Sequence, residues 1–301
     1  MRISSNQIYE QGVRLMLNAE TAISKTQMQL SSGRRIAVPA DDPTGSQQLL
    51  SLSQIQDEVT QYQKNASAAQ TNLELEDSVL ANVSDALQRI RELVVGGLNG
   101  TQSADDRHAS ALEIRQQLQS ILALANSKNG EGAYLFAGYY HGSSAAFVDN
   151  GAGSYTYNGD QGQKVAQIGR NRTVTVSDNG DAVFMAVPYS GGGVQDMFAT
   201  LNGIADGLDA NAPNATSLDD IDSALGRILE TRANVGARLN ALSGQQTVND
   251  SLLSQIEQTK SEVGDVDFVE ATSRLNQQLV ALQAAQQSFV KIEGLSLFNF
   301  L

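Results

Sequence analysis

Residues 46–95, SQQLLSLSQIQDEVTQYQKNASAAQTNLELEDSVLANVSDALQRIRELVV, contain neither glycine nor proline and carry a regular heptad repeat. In one register, residues seven apart are apolar, and so are those three positions further on, with Glu76 as the polar exception. The two apolar sets are Leu52, Val59, Ala66, Leu73, Leu80, Leu87 and Val94, and Ile55, Tyr62, Ala69, Val83 and Ile90. This pattern is typical of a coiled-coil seam. At 1.5 Å per residue the segment makes a rod of roughly 75 Å, so we expect an elongated protein.

Three further segments show the spacing of amphipathic helices. Residues 101–129 predict a second helix, capped by Thr101 or Ser103, and residues 194–208 predict a short one. Residues 218–263 predict a second rod. We expect it to be weaker than the first because each glycine inside a helix costs about 1 kcal/mol relative to alanine. The glycines concerned are Gly226, Gly236 and Gly244.

The middle of the chain, residues 131–193, has a different composition. Glycine is dense there, and nine of the sixteen Tyr and Phe residues lie between Ala133 and Tyr189. Asn158-Gly159 predicts a turn, and the run Gly191–Gly193 predicts a hinge. The predicted strands are Tyr134–Tyr140, Tyr155–Tyr157, Lys164–Ile168 and Thr173–Val176. The predicted fold class is mainly α, an elongated antiparallel helical bundle or coiled coil formed by the N- and C-terminal halves, with a small β-rich inserted domain.

Each end of the chain carries one narrow apolar stripe on an otherwise polar helix. A single helix cannot bury such a stripe, so we expect the two terminal helices to close on each other and then on other copies of the chain. The stripes also include Phe268, Ala271 and Ala285. The predicted assembly interface consists of Tyr9, Met16, Ile23, Leu30, Leu275, Leu282, Phe289 and Ile292.

The composition excludes several classes of protein. The chain has 20 Lys and Arg against 33 Asp and Glu, a net charge of −13, and no cysteine. This charge argues against a nucleic-acid binder, which needs a basic surface. The missing cysteines exclude disulfide scaffolds and thiolate metal sites. No segment approaches the ~20 apolar residues of a membrane span, and residues 1–6 lack the apolar run of a cleaved secretory signal. We therefore expect no nucleic-acid and no membrane partner.

Candidate catalytic groups are few. His108 and His141 are the only histidines, and neither has carboxylates at metal-binding spacing. Asp178–Asp181 resembles part of a calcium loop, but the required bidentate glutamate is missing, so we interpret it as a turn. We expect no catalytic, metal or cofactor site. The remote alternative is an enzyme in the β-rich insert, a hydrolase using Asp160 or Asp181.

Two N-terminal segments resemble the signature of the flagellin-type axial proteins of the bacterial flagellum. They are Ser31-Ser32-Gly33-Arg34-Arg35-Ile36 and Pro39-Ala40-Asp41-Asp42-Pro43. Residues 232–238 and 265–268 are similar to the family's C-terminal half. Residues 134–138 and the ending 295–301 are more similar to members that join hook to filament than to filament flagellin. The residues that carry the family motif are Arg34, Pro39, Asp41, Asp42 and Pro43.

The resemblance implies a structural protein built in layers. Residues 1–42 and 265–301 are expected to form a terminal coiled-coil layer, 43–130 and 194–264 a helical rod domain, and 131–193 a β-rich outer domain. The implied partners are other copies of the chain in a ring, the first hook-associated junction protein, flagellin, and a cytoplasmic export chaperone at the C-terminal helix. The implied location is the extracellular flagellum, after type III export without a cleaved signal peptide.

The preferred hypothesis is a junction subunit whose terminal helices fold as it assembles. Ordering each residue costs about 1–2 kcal/mol of backbone entropy, which one narrow stripe cannot offset without a partner. The nearest alternative is filament flagellin itself. A non-flagellar coiled-coil scaffold is a further alternative, but it would leave the segment from Pro39 to Pro43 without a purpose.

Overall fold

The computed structural model describes residues 2–140 and 142–298, without the side chains of residues 2–6, 8 and 292–298. The described helices are α1 (Arg2–Ser32), α2 (Pro43–Gly97), α3 (Ala104–Ala125), α4 (Met197–Asp209), α5 (Ser217–Gly264) and α6 (Phe268–Phe298). The described strands are β1 (Phe147–Asp149), β2 (Tyr155–Tyr157), β3 (Val165–Gly169), β4 (Arg172–Thr175), β5 (Val187–Pro188) and β6 (Val194–Gln195). Long helices at both ends and short strands between them confirm the mainly α fold with a small β-containing region.

The chain divides into two compact units. Unit 1 comprises Met1–Glu58 and Ser251–Leu301, and unit 2 comprises Val59–Asp250. Unit 1 therefore holds α1, α6, the first residues of α2 and the last residues of α5. Unit 2 holds the remainder of both long helices together with α3, α4 and the strands. The three-part division into layers stays a prediction.

The heptad repeat of α2 forms the helical core of unit 2. Leu73, Leu80 and Leu87 are completely buried. They belong to one cluster with Ile114 of α3 and Ile228 of α5, so the predicted seam packs against two other helices of the same unit. The seam pattern therefore predicted the buried face correctly.

Helix α3 begins where the sequence predicts and ends earlier. Ser103 caps it, because its hydroxyl oxygen accepts the Asp106 N–H while the Asp106 carboxylate accepts the Ser103 N–H. The predicted end at residue 129 is wrong, since the helix stops at Ala125. The Asn126 side chain bonds the backbone of Phe147, donating to its carbonyl at 2.9 Å and accepting from its N–H at 2.9 Å. Asn126 is therefore bonded to the start of the β-containing region, and the helix does not continue past it.

The three sheets of the described region are antiparallel two-stranded ribbons, β1–β2, β3–β4 and β5–β6. Strands β2, β3 and β4 lie within one residue of their predicted positions, whereas β1, β5 and β6 have no predicted counterpart. The short helix predicted from residue 194 begins at Met197, because residues 194–195 pair with β5 instead. An aromatic cluster packs against ribbon β1–β2. Phe147 lies 5.3 Å from Phe184 and 5.5 Å from Phe198, between ring centroids. These rings give the small sheets the hydrophobic core that two-stranded ribbons lack by themselves.

Two predictions for the middle region are wrong. Tyr134–Tyr140 is not a strand: Tyr134 forms a single bridge with Lys128, and turns follow. Residues 135–138 are buried in succession, which a strand with alternating faces does not allow, and Gly138 has a positive φ of +64°. The run Gly191–Gly193 is the loop of the β5–β6 hairpin rather than a hinge. Positive φ values at two of its glycines allow that tight connection.

Within residues 2–140 and 142–298, no helix is both long and apolar enough to cross a membrane.

Candidate assembly site

The candidate site lies in unit 1, where the terminal helices α1 and α6 pack against each other. Near one end of the pair, the rings of Tyr9 and Phe289 lie 5.2 Å apart between centroids. Near the other end, the Thr26 hydroxyl donates to the Gln278 carbonyl oxygen at 3.0 Å. Early residues of α1 meet late residues of α6, so the two helices run antiparallel.

A glycine permits the close approach at the Phe289 end. A Cβ added to Gly12 would lie 2.9 Å from the Phe289 ring, closer than side chains tolerate. The ring therefore occupies the space that any other residue at position 12 would fill. This is a knob-into-hole contact of the kind that coiled coils use.

The predicted interface residues lie mostly along the contact between α1 and α6. Ile23 is buried, with 8% of its surface exposed, whereas Tyr9 is 53% exposed. Five others are half-buried: Met16, Leu30, Leu275, Leu282 and Phe289. Ile292 lies in α6, but its side chain is outside the described residues. The stripes thus meet each other within one chain, and their role between chains stays a prediction.

A second apolar set on the same helices was missed by the heptad analysis. On α1, Leu15 and Leu17 flank the stripe residue Met16 and are 59% and 56% exposed. On α6, Leu279 and Val280 are adjacent and both exposed. Runs of neighbouring apolar residues around a stripe position were the signal that could have revealed this wider surface. Among the described side chains of α1 and α6, the exposed set adds Leu15, Leu17, Met28, Val269, Leu279, Val280 and Val290 to the stripe residues Tyr9 and Phe268.

The loop after α1 is fixed to the connection between α5 and α6. The Arg35 N–H donates to the Gly264 carbonyl at 2.8 Å, and the Val266 N–H donates to the Gly33 carbonyl at 3.0 Å. Gly33 has a φ of +70°, which favours glycine at the end of a helix. Between these bonds, Arg34 and Asp265 form an antiparallel bridge. Two chain segments far apart in sequence therefore set the starting points of α2 and α6 together.

The motif residues of this loop act mainly on its backbone. Asp41 accepts the N–H groups of Ala37 and Val38, each at 3.1 Å, and pairs with the Lys25 ammonium at 2.8 Å. The hydrogen bond from Lys25, and then those from the backbone, lower the pKa of Asp41. The carboxylate is therefore charged at neutral pH and holds the loop in its turn.

Asp42 caps helix α2, and Pro43 is the first residue of that helix. The Asp42 carboxylate accepts the Gly45 N–H at 2.9 Å and the Arg35 guanidinium at 3.3 Å. The Gly45 hydrogen bond, followed by the contact with Arg35, lowers the pKa of Asp42. Arg35 also donates to the Val263 carbonyl at 2.5 Å, which joins the cap to the end of α5. Arg34 and Pro39 are exposed at this loop.

Asp160 and His108, which were considered as catalytic or metal-binding residues, have structural partners instead. In the described part of the chain, no three His, Cys, Asp or Glu side chains are grouped to hold a metal ion. Asp160 accepts the N–H groups of Tyr139 and Gly162, at 3.0 and 2.7 Å, and so fixes a loop. His108 contacts Asp209 at the surface, and His141 lies outside the described residues.

Two family models match most of the chain. The bacterial flagellin N-terminal helical region matches residues 3–141, and the bacterial flagellin C-terminal helical region matches residues 218–301. Flagellar hook-associated protein 3 of Escherichia coli K12 is 31% identical over 99% of this chain and 99% of its own length. The protein of that name from Salmonella typhimurium LT2 is 32% identical with the same coverage. This chain belongs to the flagellar hook-associated protein 3 family.

The solved structures show the same fold for members of the hook-associated protein 3 family. The crystal structure of the Legionella pneumophila protein has a TM-score of 0.65, covering 70% of this chain and 98% of that one, at 22% identity. Filament proteins are more distant: flagellin of Bacillus subtilis is 27% identical over 95% of this chain. As a member of this family, the chain is a structural flagellar protein.

Proposed function

We propose that this chain joins the hook to the filament of the bacterial flagellum and assembles through its terminal helices. Near full-length similarity to hook-associated protein 3 supports the place in the flagellum. The observation that carries the mechanism is the exposed apolar surface of α1 and α6. Leu17 and Val280, for example, are 56% and 65% exposed on helices that already pack against each other. Pairing within one chain leaves this surface uncovered, and sister copies cover it.

Folding of the terminal helices is coupled to assembly in this proposal. The contact between α1 and α6 buries Ile23 and Ala271, but most stripe residues are only half-buried. At about 1–2 kcal/mol of backbone entropy per ordered residue, such a contact offers little surplus stability. Burial against neighbouring copies supplies the remainder, at roughly 25 cal/mol for each Å² of apolar surface removed from water. The chain therefore stays soluble alone and orders fully at the growing end.

The proposed partners follow from this position. Copies of the chain form a ring in the axial structure, between the first hook-associated junction protein and flagellin. Before export, a cytoplasmic chaperone covers the C-terminal helix, because its apolar stripe would otherwise promote premature assembly. Export proceeds through the flagellar type III apparatus without a cleaved signal peptide, and the mature location is extracellular.

Replacement of Leu282 by Asp tests the role of the terminal helices. Leu282→Asp places a charge in the stripe of α6, which cannot be buried without a large cost. We expect incorporation onto hooks to be lost while unit 2 stays folded. Complementation of a strain that lacks this protein, followed by electron microscopy of its hooks, measures the first effect. Circular dichroism of the purified variant measures the second.

The matched control is Leu112→Asp. Leu112 is 53% exposed on α3, so the same change is made outside the terminal helices. We expect this control to complement. Normal filament growth with Leu282→Asp would show that the terminal stripes do not drive assembly, and we would abandon the mechanism. Phe289→Asp provides a second test of the same stripe.

Filament flagellin is the second candidate function, since flagellins also match along most of the chain. The two functions predict different amounts of this chain in purified flagella. A junction protein is a trace component of purified flagella, whereas a filament protein makes up most of their mass. Quantitative mass spectrometry of isolated flagella distinguishes them, and a dominant share for this chain would contradict the junction function.

A further inference from the structure

A buried acidic cluster lies in unit 2, where the segment after β4 meets the long helices. Glu76 of α2 is 1% exposed, although it occupies a position of the apolar seam. Its carboxyl accepts the backbone N–H of Asp178 at 3.1 Å. Asp178 in turn pairs with Arg238 of α5, whose Nη2 lies 2.6 and 2.8 Å from its two carboxylate oxygens. Three elements therefore meet at one enclosed site.

The charges of this cluster balance only if one carboxyl is protonated. Arg238 provides one positive charge, and both of its close contacts go to Asp178. Two ionised carboxylates beside it would leave one buried negative charge without compensation, which is unfavourable. One proton on the pair removes that excess charge, and a protonated carboxyl can also donate a hydrogen bond to its neighbour.

The surrounding charged groups do not provide the positive charge that would balance a second ionised carboxylate. On α2, Glu74 accepts a hydrogen bond from Gln70 at 2.7 Å, and Asp77 pairs with Arg232 at 2.9 Å. On α5, Arg227 lines a cleft beside Asp178 and pairs with Glu230 at 3.2 Å. Each of these groups is engaged elsewhere. Burial, followed by the charge of Asp178, raises the pKa of Glu76 to about 8.

We propose that the proton shared by Glu76 and Asp178 holds residues 176–183 against α2 and α5, and that its loss at alkaline pH releases this segment. We call residues 176–183 the latch segment. Its backbone bonds include Asp178 to Glu76 and Gly180 to the Phe136 carbonyl, at 3.1 and 3.0 Å. The first bond attaches the latch segment to α2, and the second attaches it to the segment between α3 and β1. This proposal concerns unit 2 and is independent of the assembly role of the terminal helices.

The sign of the pH dependence follows from the raised pKa. In the released form, water surrounds Glu76, and its pKa returns to an ordinary value near 4.5. The attached form binds the proton more tightly, so its advantage is complete below pH 4.5 and is lost as the pH rises through about 8. Between pH 6 and pH 9 the equilibrium constant for release increases about ninetyfold.

Hydrogen exchange of the full-length chain tests the latch. We expect amide protection in the latch segment, corrected for intrinsic exchange rates, to fall about ninetyfold between pH 6 and pH 9 in the wild type. In Glu76→Gln the amide donates to Asp178 without titrating, so protection should stay constant over this range. The matched control is Glu74→Gln, an exposed neighbour on α2, which should behave like the wild type.

Carbon-13 NMR of side-chain carboxyls gives a second measurement that needs no variant. One carboxyl resonance of the wild type should titrate near pH 8, far above ordinary Asp and Glu residues. If every carboxyl titrates below pH 6, or if latch protection is independent of pH in the wild type, the proposal is wrong. Equal pH dependence in Glu76→Gln and the wild type would also overturn it.

Discussion

Substitutions at Ile23 and Leu17 of helix α1 distinguish packing within the chain from packing between chains. Ile23 faces α6 and is 8% exposed, whereas Leu17 is 56% exposed. Both are large aliphatic residues on the same helix, six residues apart. Ile23→Ala and Leu17→Ala should therefore have different effects, although the substitutions remove similar amounts of apolar surface.

The expected magnitudes follow from the burial of each side chain. Ile23→Ala removes three carbon atoms from a buried site, at ~0.8 kcal/mol for each methylene plus a cavity cost, or about 2–3 kcal/mol. Leu17→Ala removes a side chain that is half in water already, so the isolated chain should change by less than about 0.5 kcal/mol. In the assembled ring the exposed half of Leu17 becomes buried. Its loss then costs about 1 kcal/mol for each subunit, which is about a fivefold weaker incorporation.

Two assays measure the two effects. Because the α1–α6 contact of the isolated chain is only marginally stable, its weak amide protection is measured by millisecond hydrogen exchange. Ile23→Ala should abolish this protection in α1, and Leu17→Ala should leave it unchanged. Competition between wild-type and variant chains for incorporation onto hooks should disfavour both variants. The reasoning would be refuted if Leu17→Ala destabilised the isolated chain as much as Ile23→Ala. Incorporation of Leu17→Ala at the wild-type level would refute the assembly surface.

Three further predictions concern unit 2. Ile114→Ala should lower the free energy of unfolding by about 2–5 kcal/mol in urea titrations, because Ile114 is completely buried in the helical core. Burial raises the pKa of Tyr157 to about 12, so alkaline difference spectra between the wild type and Tyr157→Phe should show a phenol that ionises well above pH 10. The contribution of the neutral Tyr157 hydroxyl to stability should be lost as the pH rises through about 12. Asn249→Leu should cost about 1–3 kcal/mol and speed exchange in β3, because its amide donates to the Ile168 carbonyl at 3.1 Å.

The helices were predictable because their signals are local and repeated. In α2 the buried residues follow the seven-residue spacing over many turns, and Asp42-Pro43 marks its start in the structure as in the sequence. The antiparallel closure of the two chain ends also follows from their matching stripes. Such patterns require no knowledge of distant contacts, since any partner for a narrow stripe must be another stripe.

The middle region was less predictable because distant contacts determine its backbone. Tyr134–Tyr140 has the composition of a strand, but Phe136 inserts into an aromatic cluster formed with Phe184, at 5.2 Å between ring centroids. The chain turns there to place this ring, and Gly138 accommodates Asp160 beside it. Burial of one large side chain overrides local β-propensity. The sequence of residues 134–140 does not show that Phe136 will pack against Phe184.

Polar residues at or beside the helical seams are a second case in which the sequence does not reveal distant partners. Glu76 is an exception to the apolar seam of α2, and Asn249 likewise occupies the seven-residue register of Val235, Leu242 and Ile256. In the structure, Asn249 donates to the Ile168 carbonyl at 3.1 Å, and Asn65, which lies beside the seam of α2, donates to the Gln167 carbonyl at 2.8 Å. Strand β3 is therefore held by amides from both long helices, and Glu76 receives the segment after β4. A seam position without an apolar residue is thus the position where a helix bundle can bind a β-ribbon through backbone hydrogen bonds.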